Sequence, residues 1–584
     1  MQKKQTILVV ASLLVVVLSV TLAYFTAQII GEGKNISVTS TDLKIVFTDT
    51  DGNIEGNGIT PGWSNSKTFT VKNEANGTYK YDIIIKDLVN TFKTYKYLEY
   101  KITSTDGGYN MTDYSYLPKS STKEDVALAY EVSIDKGKTH TYIVEIKYVN
   151  DEYVDQSIDM GQSLSGTIYI REFTKPTMKL TDKLMADNPT IGTRTTFTAF
   201  TETNTKRLYK ATEQIGTNPV KDVYYFAGDA KNNWVKFGKT TESSCTYKGK
   251  DVLFANMTNQ TTKTPENETE CTSTNICYGG GDYVVGLTES ECNELGTKWI
   301  TEKATWNVTS TKDIYWRIIR TNADGSIKLL YAGTSPDTEK AYIGKSAFNT
   351  TYNDPMYVGY KYGTTGSLEN NRLNTNDSAI KSYVDNWYKN NLTAYTKYLS
   401  NDAVYCNDRN LASGQTYSTT SKFYYAPYER ILTNKQPTYN CTNMSDAFSV
   451  NNTSAKLDYP VGLMTIDELS YAGGEHYKNL TAPYAWYYTN AIGKSIIGSE
   501  RSWSLSPGYW TDSFPDIFGG FHLMFWEVEG SITPGVPGSL GSNPVTNPFT
   551  VRPSVSLSSC NLISRGNGSP ENPYIVYTGS GICE

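Results

Sequence analysis

Hydrophobic and polar residues alternate in short segments over the first 172 residues of the chain. This period of two places one side of a strand on a core and the other side in water. Turn-forming pairs such as Asp51-Gly52 and Asn76-Gly77 separate the segments. The pattern predicts a β-sandwich, with strands near residues 42–47, 67–71, 79–85, 97–102, 126–134, 141–148 and 164–170.

Residues 173–206 lack this alternation and are rich in threonine. We interpret them as a linker at a domain boundary, with one helical turn at 180–185. We expect a second domain over residues 207–584, interrupted by a polar, cysteine-rich insertion at about 240–312.

The pattern after the linker mixes strands and helices. Strands are predicted at 223–226 and 234–237, and two apolar runs at 314–320 and 327–331 flank Asp324-Gly325 as in a β-hairpin. A stripe at helical spacing predicts a helix up to Leu392, capped by Asn376 or Asp377. Thr465-Ile-Asp-Glu468 is a capping box for a further helix that ends at Gly473-Gly474. The second domain is therefore expected to be α+β.

The stretch from Arg501 to Leu557 places two short apolar segments around a long irregular loop, 508–550. Such loops in compact domains are usually functional or disordered, and the aromatic residues of this one argue against disorder. Aromatic side chains also favour contacts with sugars or proteins. We predict a ligand-binding surface formed by Tyr509, Trp510, Phe521, Phe525 and Trp526. The alternative is that tryptophans here fill the core. For Trp503, inside an apolar segment, we prefer that alternative.

The N-terminus has the pattern of an export signal. Lys3 and Lys4 precede an apolar run from Ile7 to about Val20 and a small-residue exit at Ala23. Residues 1–27 are predicted to be a cleaved signal peptide or, alternatively, an uncleaved membrane anchor. In both cases the remainder is exported, to the cell surface or the extracellular space.

Composition and charge narrow the function classes. The formal net charge is −6, with no basic tail, which argues against nucleic-acid binding. The 46 tyrosines among 584 residues suit strands and exposed loops. The eight cysteines are expected to form disulfides, and the paired C-x-x-C spacing of zinc sites is absent from the sequence. They are Cys245, Cys271, Cys277, Cys292, Cys406, Cys441, Cys560 and Cys583. Their connectivity is left open.

The N-terminal module resembles the TasA/camelysin family of secreted biofilm-matrix proteins of Gram-positive bacteria. The resemblance covers about residues 1–172 and is carried by Thr21-Leu-Ala-Tyr-Phe25, Ile59-Thr-Pro-Gly62 and Thr68-Phe-Thr-Val-Lys-Asn73. It implies a jelly-roll sandwich, signal cleavage after Ala23, and self-association into fibres through strand addition by residues 29–40. The alternative is that this segment pairs within its own sheet.

The C-terminal module resembles an uncharacterised domain of Firmicutes surface proteins, distantly similar to C-type-lectin-like and formylglycine-generating-enzyme-like folds. The resemblance covers about residues 207–578. The motifs that carry it in order include Trp316-Arg-Ile-Ile-Arg320, Cys406-Asn-Asp-Arg409, Trp503-Ser-Leu-Ser-Pro507 and Val551-Arg-Pro553. It implies a C-type-lectin-like domain that presents loops on a fixed sheet.

Three functions compete. The first is an adhesin that binds a glycan or a host or bacterial surface protein. The second is a structural subunit of a fibre or surface layer. The third is an enzyme, for which the sequence offers no catalytic residues: the three histidines lie far apart in sequence, and no nucleophile elbow is present. No cofactor is predicted. Calcium would be plausible in a lectin-like domain, and Asp512, Asp516 and Glu527 near the long loop are its candidate ligands. Solvated surface acids are the simpler interpretation of these residues.

Overall fold

A computed structural model describes residues 25–31, 36–40, 43–49, 54–111, 113–204, 206–257, 261–478, 480–511, 522–528, 538–579 and 583, with side chains from residue 59 onward, except those at 242, 261, 309, 310 and 522–528. The chain divides into two compact units, Met1–Lys175 and Pro176–Glu584. The predicted signal or anchor lies outside the described residues, apart from its last three. Among the described residues, no helix is both long and apolar enough to cross a bilayer.

The first unit is a two-sheet β-sandwich. One sheet has the strand order β4-β1-β11-β6-β9 and the other β2-β3-β5-β10-β7-β8. The strands are β1 Phe25–Gly31, β2 Ile36–Ser40, β3 Leu43–Asp49, β4 Ile54–Ile59, β5 Ser64–Asn73, β6 Tyr79–Asn90, β7 Leu98–Ser104, β8 Ser115–Tyr116, β9 Ser120–Ile134, β10 Thr139–Tyr148 and β11 Ser163–Glu172.

Alternation builds the core of this unit, as the sequence predicts. In β10 every second side chain from His140 to Tyr148 is buried, and each of the seven predicted strand segments overlaps an observed strand. Buried side chains of both sheets form one cluster, which includes Phe69, Val71, Ile83, Ile85, Val144, Ile146, Ile168 and Ile170. Each such residue contributes about 1.5–3 kcal/mol of apolar burial.

The segment expected to donate a strand to a neighbouring subunit pairs inside its own unit. β1 runs parallel to β11, with Ile29 opposite Gly166, and antiparallel to β4. β2 pairs with β3 and lies at the edge of its sheet. Both neighbours of β1 are therefore strands of the same chain.

The predicted linker is mostly part of the second unit. The boundary falls after Lys175, and a helix over Leu180–Asp187 follows it. Leu180 and Leu184 are buried, and the Leu180 N–H donates to the carbonyl of Asn561. Leu180 and Leu184 are four residues apart and therefore lie on the same face of the helix. Because this face is buried, the segment packs within the second unit and is not a flexible linker.

The second unit contains the remaining strands. They are β12 Thr190–Gly192, β13 Thr203–Asn204, β14 Arg207–Glu213, β15 Lys221–Tyr225, β16 Asp229–Ala230, β17 Trp234–Tyr247, β18 Lys250–Asn256, β19 Thr261–Lys263, β20 Ile276–Gly279, β21 Asp282–Val285, β22 Lys298–Ile300, β23 Thr305–Thr321, β24 Ile327–Tyr331, β25 Lys345–Ser346, β26 Lys361–Tyr362, β27 Asn376–Asp377, β28 Tyr405–Cys406, β29 Phe423–Tyr424, β30 Ala447–Phe448, β31 Val461–Gly462, β32 Ser502–Thr511, β33 His522–Val528, β34 Leu540–Pro544, β35 Phe549–Thr550, β36 Ser554–Leu557, β37 Ile563–Arg565 and β38 Tyr574–Val576.

Its helices are short. The α-helices are α1 Leu180–Asp187, α2 Glu268–Cys271, α3 Glu289–Glu294, α4 Leu368–Asn371, α5 Ala379–Asn391, α6 Ala426–Tyr428 and α7 Ile466–Ala472, and a π-helical turn spans Glu429–Asn434. In α5 the cap is Ser378, whose hydroxyl accepts from the Lys381 N–H, so Asn376 and Asp377 were the wrong residues. They form β27 instead. The capping box of Thr465 and Glu468 and the end of α7 at Gly473 are confirmed.

The centre of the second unit is antiparallel. β23 pairs with β17 and β24, β24 with β36, and β36 with β31. The predicted hairpin around Asp324-Gly325 is the β23–β24 pair. All five side chains of β24 are buried, as expected of a strand that is covered on both faces.

The cysteine-rich insertion has small cores of its own. Within the insertion, β17 and β23 continue to pair as far as Thr246, which lies opposite Thr305. Disulfides join Cys245 to Cys271 and Cys277 to Cys292. Two further disulfides join Cys406 to Cys441 and Cys560 to Cys583. All eight cysteines are therefore paired, which is typical of proteins from oxidising compartments.

The predicted irregular loop 508–550 contains regular structure. β32 reaches Thr511, and β33 pairs with both β32 and β34. The sequence His522-Leu-Met-Phe-Trp-Glu-Val528 is rich in residues that favour strands, and this explains the difference. Residues 512–521 and 529–537, between these strands, lie outside the described part of the chain.

Candidate functional site

One strand pair carries partly exposed aromatic residues beside buried ones. β29 pairs antiparallel with β32, so that Phe423 lies opposite Trp510 and Tyr424 opposite Tyr509. Phe423 and Trp510 are completely buried, whereas Tyr424 and Tyr509 are partly exposed. Since successive side chains of a strand point to opposite faces, one face of this pair builds the core and the other presents tyrosine.

The turn that follows β29 places Tyr428 beside Tyr424 and Tyr509. The Tyr425 N–H donates to the carbonyl of Gly508 at 3.1 Å, and the Tyr425 side chain is buried. Pro427 then stands in the first turn of α6, a position that suits its fixed φ. Tyr428 at the end of this turn is partly exposed on the same side as Tyr424.

We call Tyr424, Tyr428 and Tyr509 the tyrosine platform. The ring centroids of Tyr424 and Tyr428 are 4.5 Å apart. The ring centroid of Tyr509 lies 5.7 Å from that of Tyr424 and 5.3 Å from that of Tyr428. The exposed Lys422 places its Nζ 5.0 Å from the Tyr424 centroid and 5.7 Å from the Tyr509 centroid. These are the distances of aromatic packing and of cation–π contact.

The chemistry of the platform is that of neutral phenols. Burial raises the pKa of Tyr509, although a hydrogen bond with Ser542 and the charge of Lys422 act against it. Burial likewise raises the pKa of Tyr428, helped by neighbouring Tyr424, Tyr509 and Tyr477. The hydroxyls of Tyr428 and Tyr509 therefore stay protonated at physiological pH, where they can donate or accept hydrogen bonds.

The platform is held at both ends. The disulfide between Cys406 and Cys441 closes the chain segment that contains Lys422, Tyr424 and Tyr428. Beyond α6, the guanidinium of Arg430 donates to Asp467 at 2.9 Å and to Asp408 at 2.7 Å. A fixed surface loses little conformational entropy when a ligand binds.

The five residues predicted from the sequence to form the ligand-binding surface lie in different parts of the structure. Tyr509 belongs to the platform, and Trp510 is buried beneath it. Phe521 lies outside the described residues. Phe525 and Trp526 belong to β33, opposite Asn543 and Ser542, and only their backbone is described. Trp503 is buried, as expected, and its Nε1 donates to the Ser346 carbonyl.

Sequence reasoning missed Lys422, Tyr424 and Tyr428. The signal was available in the run Lys422-Phe-Tyr-Tyr-Ala-Pro-Tyr428, which has four aromatic residues in seven. Nothing in the sequence, however, links that run to Tyr509.

A charged cavity of about 20 Å³, enough for about one water molecule, lies next to Arg430. Its wall includes a buried ion network. Glu468 Oε1 accepts from Lys328 Nζ at 2.7 Å and from Arg320 Nε at 2.9 Å, and Arg320 also pairs with Glu213. Burial alone would raise the pKa of Glu468, but Lys328 and Arg320 hold it below its usual value. Glu468 is thus a permanent structural anion, which does not suit it to be a general acid.

One group of carboxylates in the described residues is close enough to share a metal: Asp377, Asp385 and Asp458. Lys381 Nζ donates to all three, at 3.1, 2.5 and 2.8 Å. The buried ammonium therefore supplies the positive charge that a cation would bring. Of the sequence candidates for calcium, Asp512 and Asp516 lie outside the described residues, and only the backbone of Glu527 is described.

Comparison with models of protein families gives no match, and comparison with curated proteins gives none either.

Proposed function

We propose that this chain is an exported protein of the cell surface or extracellular matrix that binds a glycan or a surface protein through the tyrosine platform. The observation that carries the proposal is the contact of three partly exposed tyrosines on a backbone that a strand pair and a disulfide hold in place. Aromatic side chains that stay partly exposed on a rigid backbone are typical of binding surfaces.

Two further observations support export and recognition over catalysis. Four disulfides are typical of oxidising compartments. The buried carboxylate of Glu468 is paired with Lys328 and Arg320, which hold it as a structural anion. The resemblance of the N-terminal module to secreted matrix proteins points in the same direction.

The test is a binding screen of the purified exported chain against arrayed glycans and matrix proteins. The variant Tyr424→Ala/Tyr509→Ala should lose most of the binding, because truncation of aromatic anchors costs about 2 kcal/mol or more each. Tyr153→Ala is the matched control, since Tyr153 is 97% exposed and belongs to the first unit. If the double variant keeps its circular dichroism spectrum and binds like the unaltered chain, the ligand site is elsewhere.

A further inference from the structure

We infer that the ligand of the tyrosine platform is an acidic polysaccharide, whose sugar rings pack on the tyrosines and whose carboxylates pair with Lys422. This inference rests on the proposed function and names the class of ligand. It follows from the combination of an aromatic surface and a positive charge at one place.

The arrangement of the three rings suits a sugar ring. Tyr424 and Tyr428 are inclined by 33° to each other, and Tyr509 is inclined by 45° to Tyr424. The rings are therefore not coplanar and form an uneven surface. A pyranose ring offers a flat face of C–H groups and a rim of hydroxyls, so it can pack on such rings while the phenol hydroxyls bond its rim.

The platform continues toward the exposed Tyr477. Its side chain is 58% exposed and lies near enough to Tyr428 to affect the pKa of that phenol. Since the three rings of the platform are in contact with one another, several sugar rings of one chain can pack on them side by side.

The charge at the platform is positive. No carboxylate among the described residues forms an ion pair with Lys422, whose ammonium lies over two of the rings. The nearest acid along the chain, Glu429, has its carboxylate bound to the Ser413 N–H at 2.8 Å. Glu475, close to Tyr477 in the chain, pairs with Lys435 at 3.0 Å. The ammonium of Lys422 is therefore available to an anionic ligand.

Charge complementarity of this kind gives specificity more than affinity. A neutral polysaccharide would use the tyrosines and leave the ammonium without an ionic partner. A carboxylated polysaccharide uses the tyrosines and the ammonium of Lys422 together. Because its carboxylates recur along the chain, Lys422 can pair with one of them wherever the chain lies on the platform.

The experiment compares acidic polysaccharides with their own neutral derivatives. Polygalacturonate, alginate and hyaluronan are each offered to the full exported chain, before and after methyl esterification of their carboxylates. The unaltered chain should bind at least one acidic form more tightly than its ester, by about two- to fivefold, which is the range for an exposed ion pair. Raising the salt concentration should remove this difference.

Two variants separate the parts of the argument. Lys422→Met keeps the length of the side chain and should bind the acid and ester forms equally, whereas Tyr509→Ala should weaken both. Lys340→Met is the control, because Lys340 is another exposed lysine of the same unit, in an ion pair with Asp251.

The outcomes are distinguishable. Equal binding of acid and ester forms by the unaltered chain, or an unchanged preference in Lys422→Met, overturns the acidic ligand and leaves the recognition role intact. Binding to matrix proteins without binding to any polysaccharide also overturns the acidic ligand and leaves the recognition role intact. If nothing binds, or if the platform variants bind every ligand like the unaltered chain, the proposed function fails together with the inference.

Discussion

The guanidinium of Arg409 donates through Nε to Oδ1 of Asp446 at 2.7 Å, and both side chains are buried. Asp446 also accepts from Arg372 at 2.7 Å. One buried carboxylate thus forms ion pairs with two arginines. A buried charge that loses its partner is costly because water cannot replace the partner.

We expect Asp446→Ala to lower the free energy of unfolding by about 3–5 kcal/mol, because it leaves the buried Arg409 without its anion. Urea denaturation measures this effect, with an unchanged m-value as evidence that the transition stays two-state. Asp251→Ala serves as the control, since Asp251 belongs to an exposed pair with Lys340 and should change stability by about 0.5 kcal/mol or less. Equal effects of the two substitutions would contradict this account.

The sequence was informative where the signal is local. The alternation in β10, the turn between β23 and β24, and the capping box of Thr465 and Glu468 each depend on residues within a few positions of one another. Such patterns indicate the local structure directly, because alternation, turn residues and a capping box are all read within a few positions of the chain.

The sequence was uninformative where partners are distant. Lys328 interrupts an otherwise apolar strand, and its partner Glu468 lies 140 residues away. The platform has the same character, since Tyr424 and Tyr509 meet only because β29 pairs with β32. No local pattern indicates which tyrosine run faces which strand, so the prediction reached Tyr509 and missed its neighbours.

The loop between β10 and β11 should depend on one buried carboxylate. Asp159 is completely buried and accepts hydrogen bonds from the backbone N–H groups of Lys93 and Thr94, the Thr94 hydroxyl and the Tyr148 hydroxyl. Asp159→Ala leaves these donors without their acceptor, so it should destabilise the first unit by about 2–4 kcal/mol.

Amide hydrogen exchange resolves this effect to the strands. Protection should fall in β10 and β11 of Asp159→Ala, while Glu152→Ala, an exposed position of the same loop, should leave it unchanged. A fall of similar size in both variants would show that the loop, and not the carboxylate, sets the stability.

His476 should make the second unit sensitive to acid. Burial, with the nearby charge of Lys435, lowers its pKa from 6.5 to about 4. Between these values the unfolded chain binds a proton that the folded chain refuses, so stability decreases as the pH falls from 6.5 to 4. The loss attributable to this residue should be on the order of 1–3 kcal/mol.

Denaturation at pH 7 and pH 4.5 isolates the contribution of His476. Other acids titrate in the same range, so the informative quantity is the difference between the unaltered chain and His476→Gln. The variant should lose less stability on acidification. The same loss in both proteins would place the acid sensitivity in other groups.

The disulfide between Cys406 and Cys441 should matter for binding as well as for stability. It joins residues 35 positions apart and closes the segment that contains Lys422, Tyr424 and Tyr428. Its removal in Cys406→Ser/Cys441→Ser should cost about 2–4 kcal/mol, because the unfolded chain regains the freedom that the loop had lost. It should also weaken ligand binding, because ordering the platform would then reduce the net free energy of binding.

The disulfide between Cys277 and Cys292 provides the matched comparison. It closes a shorter loop, 15 positions, inside the insertion, and its cysteines belong to a small core with Ala255 and Leu287. Cys277→Ser/Cys292→Ser should loosen that core and leave ligand binding unchanged. If both pairs of substitutions weaken binding equally, the ligand contacts the insertion as well, and the platform is not the whole site.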